Sequence, residues 1–219
     1  MGQSRGGVFF KTVFVALVVA SIASLVVLLF NTTCALDELR AKMEREPSVF
    51  KAIATRTSVR AFDANRAIGD DQIEVMLRAA MAAPTAVNKQ PWEFVVVTDR
   101  EKLEALSRVH PHARIENGAR LVIAVCGATD NGLEGRAKEY WIQDCSAATE
   151  NLLLAAHGLG LGAVWCGVYP MEERIAPICE ILSIPPGYLP LNLVTIGYPK
   201  GRNAPKDKWN AAKIHENGW

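Results

Sequence analysis

The chain predicts a layered domain of mixed α and β structure behind one apolar N-terminal span. Three observations predict it. From about Pro47 onward, apolar runs of strand length alternate with helical runs, the pattern of a sheet covered by helices. Thr12–Phe30, "TVFVALVVASIASLVVLLF", carries no charge. The longest helical run, "AKEYWIQDCSAATENLLLAAHGLGLG", is apolar on several faces and needs burial on more than one side.

The N-terminal span approaches the roughly 20 residues that cross a bilayer. It exceeds the roughly 7–15 residue core of a cleaved signal peptide. An uncleaved single-pass anchor over residues 12–30 is therefore expected, with membrane localisation. Cleavage after Thr33-Cys34-Ala35 is the alternative. Arg5 and Lys11 precede the span, and Arg40, Lys42 and Arg45 follow it, so the flanking charges do not orient the domain. The expected organisation is a tail and anchor over 1–35, a charged linker helix over 36–47, and the main domain over 48–219.

Within that domain, Ser48 can cap the short helix "VFKAIATR", and "RTSVRAF" has period-2 character. Asp70 or Asp71 can open "QIEVMLRAAMAA", and "EFVVVT" reads as a strand. Thr98-Asp99-Arg100-Glu101 reads as a capping box before "REKLEALSR". "ARLVIAVCG" is a buried strand. After the long helix come the strand "AVWCGV", the helix "MEERIAPICEIL" despite Pro177, the strand "LNLVTIGYP", and a basic, aromatic tail.

Formal net charge is +1. Without Arg5 and Lys11 the remainder is near neutral, and no basic field recruits nucleic acid. Five cysteines, with no C-x-x-C pair, argue against a disulfide framework or zinc site. The four histidines show no metal spacing beyond His110-Pro111-His112, where the intervening proline makes a shared metal a poor fit. "GLGLG" closes a helix instead of opening one, so a helix end with close packing is expected there instead of a dinucleotide loop.

Two segments could touch a ligand. In an extended segment Arg56, Ser58 and Arg60 share a face, and two guanidiniums with a hydroxyl suit a phosphate. A solvated edge is the other reading. The connector "APTAVNKQPWEF" offers a hydroxyl, amides and backbone N–H groups that suit the edge of a heteroaromatic ring; an ordinary loop whose Trp92 plugs the core is the alternative.

Taken together, "RTSVRAF", "APTAVNKQPWEFVVV", "YWIQDCSAATENLLLAAHGLGLGAVW" and "GYPKGRNAPKDKW" resemble, in order, four motifs of the FMN-dependent nitroreductase family. The resemblance runs from about Pro47 to Trp219. It implies an α+β fold with a mixed sheet flanked by helices, a homodimer, and FMN bound at the subunit interface. It places Arg56, Ser58 and Arg60 against the phosphate, ribityl chain and ring edge of FMN. Pro84, Thr85 and Asn88 would reach FMN too, the Pro-Thr pair from the neighbouring subunit. Cys166 and Gly167 would present backbone to the reactive edge, and Lys206 and Lys208 would complete the phosphate site. Lys208 stands where the family usually has Arg, which keeps charge but loses a bidentate contact. NAD(P)H is the implied donor and a nitroaromatic, quinone or similar small molecule the implied acceptor. No side-chain acid or base stands out as catalytic, and no metal is implied. The alternatives are a membrane-anchored reductive dehalogenase like the iodotyrosine deiodinases, whose inserted lid is missing between Ser107 and Ala119, and a non-catalytic flavin-binding membrane module.

Overall fold

The computed structural model describes residues 21–28, 30, 49–130, 133, 135–201 and 203–219. The chain divides between Glu46 and Pro47 into two units. The expected anchor, and membrane localisation with it, is corrected: no helix among the described residues is long and apolar enough to cross a membrane. Of the 12–30 span, 21–28 and 30 are described, and they are helical and exposed. The rest of that span and the linker helix expected over 36–47 lie outside the described residues.

The second unit runs α1 (Val49–Thr55), α2 (Asp70–Met81), β1 (Trp92–Val97), α3 (Arg100–Val109), β2 (Leu121–Ala128), α4 (Tyr140–Gly158), β3 (Gly162–Gly167), α5 (Glu172–Leu182) and β4 (Tyr188–Gly197). The strands lie in the order β1-β2-β4-β3, and every neighbouring pair is antiparallel. The parallel element is a single bridge, Ser58 to Ala163, beside β3. Among the described residues, the sheet is mixed only through that bridge.

Strand β2 is buried along its whole length because both faces are covered. Leu121, Ile123 and Val125 pack with Ile73, Met76 and Ala80 of α2 and Ala148 and Leu152 of α4. Val122, Ala124 and Cys126 pack on the other face with Leu103 and Leu106 of α3 and Ile175 and Ile178 of α5. The period-2 alternation of the strand thus divides its side chains between two cores. Each fully buried Leu or Ile contributes about 1.5–3 kcal/mol.

Helix ends follow local chemistry. The Gly69 N–H donates to Gln72 Oε1 at the start of α2, at 3.1 Å. The cap of α3 is Asp99, whose Oδ1 accepts from the Lys102 N–H at 2.9 Å. The helix starts at Arg100 as "REKLEALSR" predicts, but Asp99 caps it and not Thr98, since a carboxylate is at least as good a cap as a threonine hydroxyl. In "GLGLG", Gly158 ends α4, Gly160 has φ +73°, and Gly162 opens β3. A Cβ on Gly162 would stand 2.7 Å from Val59 Cβ, so this glycine is a close-packing site.

Candidate functional site

The "RTSVRAF" segment runs beside β3. Val59 and Phe62 are buried and Arg60 is exposed. The Val59 N–H donates to the Ala163 carbonyl at 3.0 Å. The segment also holds the start of the C-terminal tail: Lys200 N–H donates to Ala61 O, and Asp63 N–H to Tyr198 O, each at 2.9 Å. That stitching carries the tail back past Arg56. Arg56, Ser58, Arg60, Lys206 and Lys208 consequently line one cleft of about 960 Å³, together with Thr57 and Asp207. Arg56 Nε lies 3.3 Å from Glu150 Oε1 of α4, which fixes the guanidinium at the cleft wall. Beneath it, Thr55 Oγ1 and His157 Nε2 are 2.8 Å apart. Burial, and secondarily the Arg56 charge, push the His157 pKa below its ordinary value.

Arg60 also borders a second cleft, of about 360 Å³, where Cys166 and Gly167 lie. The Cys166 thiol itself is buried among Val164 and Leu193, so only its backbone can serve a ligand. Burial raises its pKa, opposed by the Thr195 hydroxyl and by the Arg60 and Arg174 charges. The Gly167 carbonyl accepts from His110 Nε2 and from an Arg174 Nη1, each at 2.9 Å. A Cβ on Gly167 would meet nothing within 4 Å.

The connector forms a third, separate place. Pro84 and Thr85 line a cleft of about 420 Å³ with Tyr140, Gln143, Asp144 and Ala147 of α4. Asn88 ends a 3₁₀ turn over Ala86–Asn88. Val87, Asn88 and Gln90 have φ values of 45°, 58° and 50°. Asn accepts such angles, whereas a β-branched residue is an outlier there. Cross-links hold the shape: Asp144 Oδ1 accepts the Ala86 N–H at 2.9 Å, Thr85 Oγ1 accepts the Gln90 N–H at 3.1 Å, and Asn88 Oδ1 accepts from Gln90 Nε2 at 2.8 Å. Trp92 is buried and Phe94 half-buried.

Within one chain, Pro84, Thr85 and Asn88 do not line either cleft that Arg60 borders. Four residues that shape these places escape sequence reasoning: Gln90, Asp144, His110 and Arg174. Asp144 had a usable signal, as one of two carboxylates, with Glu150, inside a nearly apolar helix. It is 7% exposed. His110 and Arg174 had none, because their shared partner is a backbone carbonyl, and Gln90 pairs inside its own connector, where no residue pattern marks the bond.

The nitroreductase family model matches residues 53–117 and 112–198. The chain belongs to the nitroreductase family. A Methanothermobacter thermautotrophicus protein with the provisional name NADH dehydrogenase/NAD(P)H nitroreductase is 41% identical over 189 residues, covering 86% of this chain and 95% of its own. A Parabacteroides distasonis crystal structure with the same provisional name is 41% identical, with a TM-score of 0.74, over 80% of this chain and 100% of its own. A Desulfovibrio desulfuricans protein, provisionally named a nitroreductase and solved in complex with FMN, is 28% identical, with a TM-score of 0.67, over 79% of this chain and 98% of its own. The family match begins in the helix before "RTSVRAF" and ends at Tyr198, inside "GYP", so it spans three of the four motifs in full.

Proposed function

We propose that this nitroreductase-family protein, an FMN-dependent oxidoreductase with NAD(P)H as its donor, reduces a nitroaromatic, quinone or similar small acceptor. The observation that carries the site reading is the 960 Å³ cleft, in which four cationic side chains and one carboxylate meet Ser58. Its volume is at the upper end of small-molecule pockets, roughly 300–1,000 Å³. FMN fits this donor set. Arg56, Arg60, Lys206 and Lys208 would hold a doubly charged phosphate, with Ser58 at the ribityl chain. The empty space over Gly167 would let a flat ring edge approach the Cys166–Gly167 backbone. Bound FMN supplies the electron-transfer chemistry. The protein's part is to hold the ring, to set Arg60 beside developing negative charge, and to limit water. No side-chain acid or base is required in this reading, since water can deliver protons.

The connector completes the reading in a homodimer. A second copy would bring Pro84, Thr85 and Asn88 to the cofactor that the first copy's clefts receive. This is favoured by the strained, 73% exposed Val87 at the connector's tip. Burial against a second subunit would offset the cost of that conformation.

The test is direct. The purified protein should be yellow, with about one FMN per subunit and a dimer's mass in solution. Loss of flavin, with NAD(P)H oxidation at background after FMN is added back, would end this reading.

A further inference from the structure

Besides Arg60, already given to the cofactor, the smaller cleft beside Gly167 carries two arginines that holding a phosphate does not use. Arg114 and Arg174 line it with His110, His112 and Trp165, and no carboxylate is among its lining residues. Glu116 approaches Arg114 only at 3.9 Å, with both side chains about half exposed. That is too long for a hydrogen bond.

We propose that this cleft is an anion subsite that receives the carboxylate of a small aromatic electron acceptor. The proposal rests on the FMN reading, which puts the reactive edge of the ring at Cys166–Gly167.

Three features argue for a built site over a chance cluster. A carbonyl oxygen facing an anion would repel it. The Gly167 oxygen is instead occupied by two donors, His110 Nε2 and Arg174 Nη1. Because a carbonyl only accepts, His110 must carry its proton on Nε2. His110 is 2% exposed and its Nδ1 has no partner, so the ring is locked in place for that one contact. Arg174 spends one N–H on the carbonyl and retains the rest of its five-donor fork for a ligand.

The second feature is the backbone of Arg114. It has φ 57°, ψ 30°, between two 3₁₀ turns, Pro111–Ala113 and Ile115–Asn117. A non-glycine residue is uncommon there. Buried Ala113 and Ile115 on either side hold the conformation while Arg114 stays exposed at the cleft. Strain kept in place by its neighbours marks a candidate functional position.

The third is size. A volume of about 360 Å³ admits one small ring, not a dinucleotide. The same charges could bind a phosphate of NAD(P)H, so the experiment separates the two sources.

The flavin-loaded protein is assayed with 4-nitrobenzoate and with its neutral isostere 4-nitrobenzamide, as wild type, Arg114→Asn and His112→Gln. Asn tolerates the left-handed backbone of Arg114, so folding is not at issue there. Binding of non-reducible benzoate is measured separately, by calorimetry and by perturbation of the flavin spectrum. The expected result is benzoate binding that weakens about tenfold in Arg114→Asn and falls with added salt. The ratio of kcat/KM for 4-nitrobenzoate over 4-nitrobenzamide should fall by a similar factor, mainly through KM. The proposal is overturned if wild type does not distinguish the two acceptors, if the variants lower both equally, or if the variants change NADPH relative to NADH and leave benzoate binding as it was. Flavin-replete protein that oxidises NAD(P)H but fails these tests loses the subsite alone. Protein that takes up no FMN loses the functional reading, and the subsite with it.

Discussion

Gly162 is packed against Val59 so closely that a Cβ on the glycine would stand 2.7 Å from the valine Cβ. The contact sets the distance between β3 and the segment that carries Arg56, Ser58 and Arg60. Gly162→Ala should push that segment away, costing about 1–3 kcal/mol as overpacking does, and should weaken FMN retention. Gly160→Ala is the control. Gly160 has φ +73° with nothing within 4 Å of a Cβ, so alanine there should cost about 1 kcal/mol of backbone energy and leave FMN affinity alone. Denaturant melts and flavin titration of both variants check this. Equal effects on FMN would mean that Val59 does not position the arginines.

Asn88 sits at φ 58° with its side chain bonded to Gln90. Asn88→Ala would mix a backbone cost with loss of the amide. Asn88→Gly keeps the left-handed backbone and removes only the side chain. It should weaken FMN retention several-fold while lowering stability with saturating FMN by less than about 1 kcal/mol. If stability falls and retention does not, the connector is a turn and nothing more.

Asp144 accepts the Ala86 N–H from inside a buried helix. Asp144→Ala leaves that amide without its partner and should cost about 1–3 kcal/mol. Asp144→Asn keeps an acceptor oxygen and should recover most of it. Thermal melts of the two variants, read with amide exchange at Ala86, test the assignment.

Cys126 and Cys145 are pushed up to about 12, chiefly by burial. Raised thiol pKa values favour the fold while the unfolded thiols are also neutral. That stability is intact below about pH 9 and is lost as pH rises from there toward 12. Stability should therefore decline on the alkaline side, and Cys126→Ala with Cys145→Ala should flatten the decline. In native protein at pH 8, alkylation followed by mass spectrometry should label half-buried Cys179 before either.

Lys206 and Lys208 meet Arg56 and Arg60 in one cleft. Lys208→Ala should weaken FMN binding and reduce its salt dependence, since one screened charge is gone. Lys208→Arg should restore both, with a gain if the fork engages the phosphate twice. Flavin titrations at two ionic strengths decide the matter.

Much of this was legible locally. Helix and strand positions follow from apolar periodicity, which is written within a few residues. The shared face of Arg56, Ser58 and Arg60 follows from period 2, and the ending of α4 at "GLGLG" follows from glycine's conformational freedom. Local legibility also misled. An apolar run at Thr12–Phe30 suggested a membrane span that the described structure does not contain, because hydropathy reports the wish for burial and not its partner. The Thr98 cap likewise lost to Asp99, one residue away.

What the folded chain alone settles is who meets whom across long separations. The order β1-β2-β4-β3 brings β3 against β4, and the edge of β3 is where the "RTSVRAF" segment docks. The backbone bonds at Ala61 and Asp63 bring the tail lysines to Arg56. His110 and Arg174, 64 positions apart by their numbers, converge on one carbonyl oxygen. No pattern of residue types announces a bond to a backbone atom, because every residue has the same carbonyl. Only packing of the two cores decides which one a buried imidazole will find.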